Sequence, residues 1–442
     1  MNSNGKYQII RILLLSLLIC FMGKHTIYAA KEAPKEQDLF AASAVLMDGE
    51  SGRILYDKNG MAPLPNASTT KILTCILVLE ECDLSEQAFV SAYASQMPKV
   101  KLYVKKGEQY AVKDLLYSLM LESHNDSAVV LAEHMGKKWV ADLKNRPAEE
   151  FTTEESQMAL KAFAERMNQK AEEIGCKDSY FITPNGLDAT ETVVMPDNSS
   201  NIQEHHTTAR DLALIMSYCI LRSPECDMFL KITGTRSYSF YANQRSFSCS
   251  NHNAFLDMME GALSGKTGFT GKAGYCYVGA LKKEGRIYVV ALLACGWPNN
   301  RSYKWSDTRK LMEYGLQNYR REEITSEEIL IPEQALPELL VRHGQGEKID
   351  QAITIKGALP DRAPDKSVGV LLGTEEKIAA KVLLPQELEA PVEKGQLLGE
   401  ICYMLGDEVY YRERIVAPQE ILRVDLSWCF RQIFRVFCGG KP

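Results

Sequence analysis

The spacing of apolar residues along the chain predicts a β-rich start followed by a long helical part. Residues 41–48 and 53–57 are two apolar runs around a glycine-containing turn, which is typical of a β-hairpin. Between residues 69 and 221 the apolar positions recur at helical intervals instead. The predicted helices are residues 71–79, 114–120, 127–135, 158–174 and 208–221.

Strand-like patterns return after the helical part. They occupy residues 263–269, 275–281 and 287–295, and a further helix is predicted at 305–319. Strands, then helices, then strands and a helix indicate an α+β fold. In such a fold we expect the N-terminal hairpin to join the later strands in one sheet.

The pattern changes again after about residue 321. Residues 325–417 contain short β-like runs broken by prolines and glycines, without helical spacing. The runs are residues 349–355, 368–372 and 377–384. This part is predicted to be a small all-β domain, and residues 421–442 form a separate last segment.

The first thirty residues have the pattern of a secretory signal peptide. Lys6 and Arg11 precede a mostly apolar run at residues 12–22, and the small pair Ala29-Ala30 follows it. The alternative is an N-terminal anchor that is not cleaved, for which the apolar run is short. The chain is therefore predicted to be exported, with residues 31–320 as its main domain.

Charge and cysteine content exclude some classes of partner. The 442 residues carry a net charge of −6, which argues against a nucleic acid partner. The twelve cysteines form no CxxC pair and no zinc-like spacing, so neither a disulfide framework nor a metal site is predicted. Cys75, Cys276 and Cys295 lie in apolar or strand-like runs, and we expect them to be small buried hydrophobic residues.

The first motif with chemical content is Ser68-Thr69-Thr70-Lys71. At the start of a helix, residues three apart share one face, so Lys71 can reach the hydroxyl of Ser68. A serine is a poor nucleophile until a base takes its proton, and a lysine acts as that base only where burial or charge lowers its pKa. The apolar run 72–79 predicts a buried helix there. The alternative is an ordinary helix N-cap followed by an exposed lysine.

The second motif is Ser123-His124-Asn125, between two predicted helices. A second hydroxyl can relay protons, and an asparagine side chain offers a donor and an acceptor to a substrate amide. Alone the motif is equally typical of a loop and helix N-cap.

The third motif is Lys266-Thr267-Gly268 in a predicted strand. A cation and a hydroxyl there can bind a carboxylate, and a glycine lets a substrate lie close to the strand. The alternative is an edge strand with an ordinary lysine.

Together the three motifs resemble the penicilloyl serine enzymes, and the sequence around them resembles the D-Ala-D-Ala carboxypeptidase family. The resemblance implies an antiparallel sheet flanked by helices with a helical subdomain, the β-lactamase or transpeptidase-like fold, followed by a small β-sandwich at 325–417. His124 departs from the small residue expected there. The stretches that carry the resemblance are ASTTKILT (67–74), LLYSLML (115–121), TPNGLD (183–188), TARDLA (208–213), GKTGFTGKAGYC (265–276) and APVEKGQ (390–396).

The same resemblance implies a serine D-Ala-D-Ala carboxypeptidase that trims peptidoglycan stem pentapeptides and is acylated by β-lactams. Ser68 would be the nucleophile, Lys71 its base, and Ser123 the proton relay. The substrate-binding residues would be Asn125, Lys266, Thr267, Gly268 and Phe269, with the backbone N–H groups of Ser68 and Phe269 as the oxyanion hole. Neither a metal nor an organic cofactor is implied.

Two other functions share these motifs. A class A β-lactamase also needs a glutamate that activates water, and residues 123–266 contain no E-x-x-L-N sequence. A non-catalytic wall-binding protein on the same fold is the other alternative, although every motif position holds a chemically competent residue.

The last segment predicts an amphipathic helix at residues 421–437. Its apolar face suits a helix that lies on the outer face of the cytoplasmic membrane, with Arg431 and Arg435 opposite. Trp428 falls on the polar side, which this interpretation does not explain. The alternative is a helix packed on the β domain. An exported enzyme attached peripherally to the membrane is the prediction.

Overall fold

A computed structural model describes residues 32–194, 200–347, 352–360 and 368–438. The predicted signal segment, residues 1–30, lies outside the described residues. The helices are α1 (Lys71–Glu81), α2 (Ala92–Ser95), α3 (Val112–Leu121), α4 (Asn125–Trp139), α5 (Thr153–Ile174), α6 (Ala209–Leu221), α7 (Cys226–Gly234), α8 (Phe255–Met258), α9 (Tyr303–Asn318) and α10 (Leu426–Phe437).

The strands alternate with these helices along the chain. They are β1 (Ser43–Asp48), β2 (Ile54–Lys58), β3 (Gln87–Phe89), β4 (Gln109–Ala111), β5 (Thr190–Val194), β6 (Ser200–Glu204), β7 (Ser237–Ala242), β8 (Arg245–Ser250), β9 (Ala262–Thr270), β10 (Gly274–Lys283), β11 (Arg286–Leu293), β12 (Tyr319–Glu323), β13 (Glu338–Arg342), β14 (Ile353–Lys356), β15 (Gly369–Gly373), β16 (Ala379–Leu383), β17 (Glu387–Glu389), β18 (Leu397–Leu405) and β19 (Glu408–Val416).

One five-stranded sheet organises the first three hundred residues, in the order β2-β1-β11-β10-β9. The N-terminal hairpin joins the later strands through β1 and β11, which pair antiparallel with Val45 opposite Ala291. The α+β prediction and this joining of the two ends are confirmed. Strand β9 forms one edge of the sheet, and the third motif lies on it.

The central strands are buried on both faces because alternate side chains enter two different cores. On β11, Val289 and Ala291 belong to the core shared with α1, α3, α4 and α6, whereas Val290 and Leu292 pack with Leu311 of α9. Near-continuous apolar runs, rather than strict alternation, therefore mark these strands in the sequence. Helices cover both sides of the sheet.

Helix α1 lies in the middle of the larger core. Its residues from Lys71 to Leu79 are all buried, so it has no solvent-exposed face over that length. An unbroken apolar run predicts this, because a helix that is hydrophobic all round is stable only inside a protein. Cys75, Cys276 and Cys295 are buried, as expected. The eleven cysteines within the described residues are free thiols.

Helix α7 and the β7–β8 hairpin are among the elements that were not predicted from the sequence. Helix α7 has nine residues, of which only Phe229, Ile232 and Thr233 are buried. A helix this short depends on tertiary packing more than on its own propensity. The β7–β8 hairpin alternates exposed serines with less exposed residues such as Tyr238, Phe240 and Phe247, a period of two that the prediction did not include.

Strands β12 to β19 form three small sheets around a core of their own. This part contacts the main sheet through charged groups. Asp48 accepts the N–H of Leu371 at 2.9 Å, Arg53 pairs with Glu376, and Arg321 Nε lies 2.6 Å from Glu50. The β-rich part is thus held on the turn of the β1–β2 hairpin.

Helix α10 ends the described chain. It begins at Asp425, whose carboxylate accepts the N–H of Trp428 at 2.6 Å. Trp428 is 6% exposed, whereas Phe430 is 69% and Phe437 86% exposed. The tryptophan on the polar side of the wheel is therefore the residue buried in the protein, and the apolar face points outward. In the described part of the chain, every helix is too short or too polar to cross a membrane.

Candidate active site

The first motif places its serine and lysine at the start of the buried helix. Ser68 lies in a 3-10 turn, Ala67–Thr70, and Lys71 is the first residue of α1. Lys71 Nζ lies 2.8 Å from Ser68 Oγ. Ser68 is half-buried while Lys71 is fully buried. The predicted contact between the two side chains is therefore present in the structure.

The other partners of Lys71 orient its amine. Nζ donates to Asn125 Oδ1 at 2.9 Å and to the carbonyl of Asn185 at 2.6 Å. Asn125 presents its oxygen to the lysine because its Nδ2 donates to the carbonyl of Pro98 at 3.2 Å. A neutral amine has two N–H groups and one lone pair. With both N–H groups held by carbonyl oxygens, the lone pair is left facing Ser68 Oγ.

Burial favours the neutral form of Lys71. Removal from water lowers the pKa of Lys71 well below its ordinary value, and the charge of Lys266 lowers it further. Asp126 acts in the opposite direction but is the smallest of the three influences. The environment required for a lysine base is thus built from a buried helix and a second nearby cation.

The second and third motifs meet beside this pair. Lys266 Nζ lies 3.0 Å from Ser123 Oγ and 2.9 Å from the carbonyl of Thr267. Ser123 has a left-handed backbone with φ of 65°, a conformation that costs a non-glycine residue free energy. Burial lowers the pKa of Lys266 to about 7. Two lysines and two serines therefore meet in one cleft.

The edge strand β9 forms a wall of the cleft. Thr267 is half-buried and Phe269 is exposed, so both can face a ligand. A side chain at Gly268 would lie 2.9 Å from the carbonyl oxygen of Asn66 and 3.0 Å from the amide nitrogen of Ser68. The strand approaches the Ser68 turn this closely only because residue 268 is glycine.

The D-alanyl-D-alanine carboxypeptidase sequence profile matches residues 29–152 and 153–294, more than half of the chain. The chain belongs to the D-alanyl-D-alanine carboxypeptidase family. The resemblance carried by the three motifs is confirmed. A second profile, that of the C-terminal domain of penicillin-binding protein 5, matches residues 362–423.

Individual relatives agree with the family match. D-alanyl-D-alanine carboxypeptidase DacF of Bacillus subtilis is 24% identical over 390 residues, which cover 86% of each chain. DacB2 of Mycobacterium tuberculosis is 28% identical over 62% of this chain and 82% of its own. The crystal structure of penicillin-binding protein 5 from Haemophilus influenzae covers 89% of this chain and 100% of its own, with a TM-score of 0.62 at 22% identity. The predicted fold is confirmed by this likeness.

Several residues that shape this carboxypeptidase-family site carry no motif of their own. The backbone carbonyl of Asn185 accepts a hydrogen bond from Lys71. The next residue, Gly186, has a φ of 77°, and a Cβ at this position would lie 1.9 Å from the carbonyl oxygen of Ala67. The stretch TPNGLD resembles the family, but its contact with Lys71 is made by a backbone atom. A sequence does not reveal such a contact.

His205 joins the Asn185 loop to the nucleophile turn. Its Nε2 lies 2.9 Å from Thr70 Oγ1, and its Nδ1 accepts the N–H of Ile182 at 3.0 Å. Burial lowers the pKa of His205 to about 3, so the ring is neutral. The sequence analysis assigned this histidine no role in the site, and its place between two loops is a tertiary feature.

His124, the departure from the family pattern, has its described side-chain hydrogen bond with Ser118 and not with a reacting group. Its Nδ1 lies 2.8 Å from Ser118 Oγ, which in turn contacts Ser127 Oγ at 2.7 Å. Burial lowers the pKa of His124 to about 4. The residue is thus a neutral structural group at the N-terminus of α4.

Among the described residues, Cys82, Glu86 and His134 form the group with metal-ligand chemistry. The ammonium of Lys138 lies 2.8 Å from Glu86 Oε2 and 3.8 Å from Cys82 Sγ. A cation therefore already neutralises the carboxylate of this group. None of its members contacts Ser68 or Lys71 in the described hydrogen bonds.

Proposed function

We propose that the chain is a serine D-Ala-D-Ala carboxypeptidase that works through an acyl-enzyme on Ser68. The observation that carries the proposal is the position of Lys71 Nζ, which lies 2.8 Å from Ser68 Oγ and is held by Asn125 Oδ1 and the carbonyl of Asn185. A neutral buried lysine beside a half-buried serine is an activated nucleophile. The family match supports the substrate class.

In the proposed reaction, Ser68 Oγ attacks the carbonyl carbon of the penultimate D-alanine while its proton passes to Lys71 Nζ. The peptide C–N bond then breaks, and the leaving D-alanine nitrogen takes a proton through Ser123 Oγ. An ester to Ser68 remains. Water, deprotonated by Lys71, hydrolyses that ester, which frees the shortened stem peptide and restores the serine.

The remaining motif residues would hold the substrate. Lys266 and Thr267 would bind the terminal carboxylate by charge-assisted hydrogen bonds. Asn125 would hold the peptide, and the N–H groups of Ser68 and Phe269 would stabilise the oxyanion. Gly268 would allow the substrate to extend along the β9 edge. β-Lactams would acylate Ser68 in the same position as the peptide.

We also infer that the protein acts outside the cytoplasm at the membrane surface. The proposed division is a signal peptide at 1–30, a catalytic domain at 31–320, a β domain at 325–417 and an anchor at 421–442. The exposed apolar face of α10 supports insertion of that helix into the headgroup layer, since Trp428 on the opposite side holds it to the protein.

Two measurements on one preparation test the catalytic proposal. The wild type should release D-alanine from a pentapeptide muropeptide, and mass spectrometry should find one added β-lactam on Ser68. The variant Ser68→Ala should neither release D-alanine nor form the β-lactam adduct. The variant Ser123→Ala keeps the Ser68 hydroxyl and should still be acylated slowly. A stable adduct on another serine would refute the assignment of Ser68. Rapid penicillin turnover without D-alanine release would instead indicate a β-lactamase.

A further inference from the structure

A cluster of lysines borders the catalytic cleft of this otherwise acidic chain. Between α2 and β4, residues 96–107 carry four lysines and no acidic residue, although the whole chain has a net charge of −6. We call these lysines the basic rim: Lys99, Lys101, Lys105 and Lys106. Three of them, at positions 99, 105 and 106, are exposed. None has a part in the proposed reaction.

The second motif holds the rim beside the active site. Asn125, which contacts Lys71, donates its backbone N–H to the carbonyl of Val100 at 2.8 Å. The buried carboxylate of Asp126 accepts the N–H groups of Leu102 at 2.8 Å and of Tyr103 at 2.8 Å. The lysines are therefore carried by backbone that is tied directly to the catalytic residues.

Nearby acidic residues do not cancel the charge of the rim. The carboxylate of Glu108 is paired with Arg245 at 2.6 Å and also accepts the N–H of Lys105 at 2.7 Å. Glu122, which accepts the N–H of Ser250 at 2.7 Å, is one carboxylate against the four lysines of the rim. The exposed lysines thus leave a net positive potential along this edge of the cleft.

The positive charge is confined to one side. A cavity of about 850 Å³ opens between Pro98 and Asn185, and its lining contains Lys161 together with the acidic residues Glu165, Asp188 and Glu191. A ligand with carboxylates spread along its length would therefore be drawn to the rim and not to this cavity.

Resting on the proposed function, we infer that the basic rim binds carboxylates of the stem peptide upstream of its D-Ala-D-Ala end. Binding of this kind raises the local concentration of an anionic substrate without changing the chemical step. It lowers KM and leaves kcat unchanged, as uniform binding does. Because the lysines are exposed, salt should screen the effect, with a Debye length of ~30 Å at 0.01 M and ~3 Å at 1 M.

The test compares two synthetic peptides of equal length that end in D-Ala-D-Ala. One carries two upstream glutamates, and the other carries glutamines at the same positions. For the wild type, the KM of the glutamate peptide should be about fivefold lower than that of the glutamine peptide at low salt and equal to it at high salt. The triple variant Lys99→Gln, Lys105→Gln, Lys106→Gln should abolish the difference, with kcat and β-lactam acylation unchanged.

A matched control separates the rim from total charge. Lys377→Gln, Lys381→Gln and Lys394→Gln remove three exposed lysines from the β-rich part and change the net charge equally. This control should retain the preference for the glutamate peptide. If the rim variant also retained it, or if both triple variants lost it, the inference would be overturned. If the wild type released D-alanine from neither peptide, the proposed function itself would fail.

Discussion

The catalytic cleft and the terminal helix reverse the usual distribution of residues in opposite ways. In the cleft, two lysine side chains are removed from water, with Lys71 at 0% and Lys266 at 2% exposure. On α10, large apolar side chains are left in water, with Phe434 at 71% and Phe437 at 86% exposure. Soluble proteins mostly place lysines outside and phenylalanines inside.

Both arrangements lower folding stability, and each belongs to a region for which a function is proposed. Burying an ammonium without an anionic partner costs free energy and so favours loss of its proton. The base role proposed for Lys71 requires this neutral form. Leaving a phenylalanine exposed forgoes about 1.5–3 kcal/mol of burial free energy. On α10 this burial free energy would be gained only when the exposed apolar face binds another surface.

The largest expected effect comes from removing the buried base. Lys71→Met should lower the rate of β-lactam acylation by ~10²–10⁴-fold, because general base catalysis is lost at Ser68. Stopped-flow acylation with a chromogenic β-lactam measures it. Lys138→Met, which removes a partly exposed lysine on α4, should acylate at the wild-type rate. An unchanged rate in Lys71→Met would show that another group takes the serine proton.

The next effect concerns the exposed face of α10. The double variant Phe430→Glu, Phe434→Glu should reduce binding to anionic vesicles by at least ~10²-fold. The reason is that burying two phenylalanine side chains in the membrane contributes roughly 3–6 kcal/mol. Vesicle sedimentation measures it, and Phe430→Leu, Phe434→Leu serves as the apolar control. Activity on soluble peptides should be the same in all three proteins.

Removing α10 by truncation also tests its membrane binding, without introducing the charged glutamates of the double variant. The cut belongs after Val424, because Ile421 and Arg423 still form β-bridges with Val392 and Gly344 of the β-rich part. This shortened protein should remain active and stay in the supernatant. If the full mature chain also stayed there, α10 would be a packing helix instead of an anchor.

Lys266 should show a smaller effect that depends on substrate charge. Lys266→Ala should lower kcat/KM by ~10–10²-fold on a peptide with a free terminal carboxylate and far less on its amide, since a charge-assisted bond contributes ~1.5–3 kcal/mol. With a pKa of about 7 the lysine is a cation below that pH, so KM for the free acid should rise as pH increases through 7. The amide should show no such rise. Equal losses on both substrates would exclude carboxylate binding.

The smallest effect is expected at His124. With a folded pKa of about 4, lowered by burial, the ring is neutral above about pH 5 and cannot shape the activity profile there. Because the unfolded ring binds a proton near pH 6.5, it lowers stability as pH falls from 6.5 to 4. His124→Ala should remove that pH slope and cost about 1 kcal/mol for the lost Ser118 contact. Thermal unfolding across pH measures both, and an altered activity profile near neutrality would contradict this assignment.

Much of the fold was predictable because its strongest elements are long and uniformly apolar. Helix α1 and strands β10 and β11 follow from runs that only a buried element can accommodate. Helix α7 was missed since a helix of nine residues depends on packing against its neighbours. The β7–β8 hairpin was missed although its strands alternate polar and apolar residues. The place of Trp428 on the polar side stayed unexplained at the sequence level, because a helical wheel does not show which face meets the rest of the protein.

The sequence by itself determined which reactive groups the protein has. Ser68, Lys71, Ser123, Asn125 and Lys266 were recognisable because hydroxyl, amine and amide groups must be encoded as side chains. Tertiary structure alone decided how these groups act. Lys71 Nζ is held 2.8 Å from Ser68 Oγ by a backbone carbonyl at Asn185, 114 residues away, and by the side-chain oxygen of Asn125. Backbone contacts and burial arise from packing across the whole chain, so no local pattern encodes them.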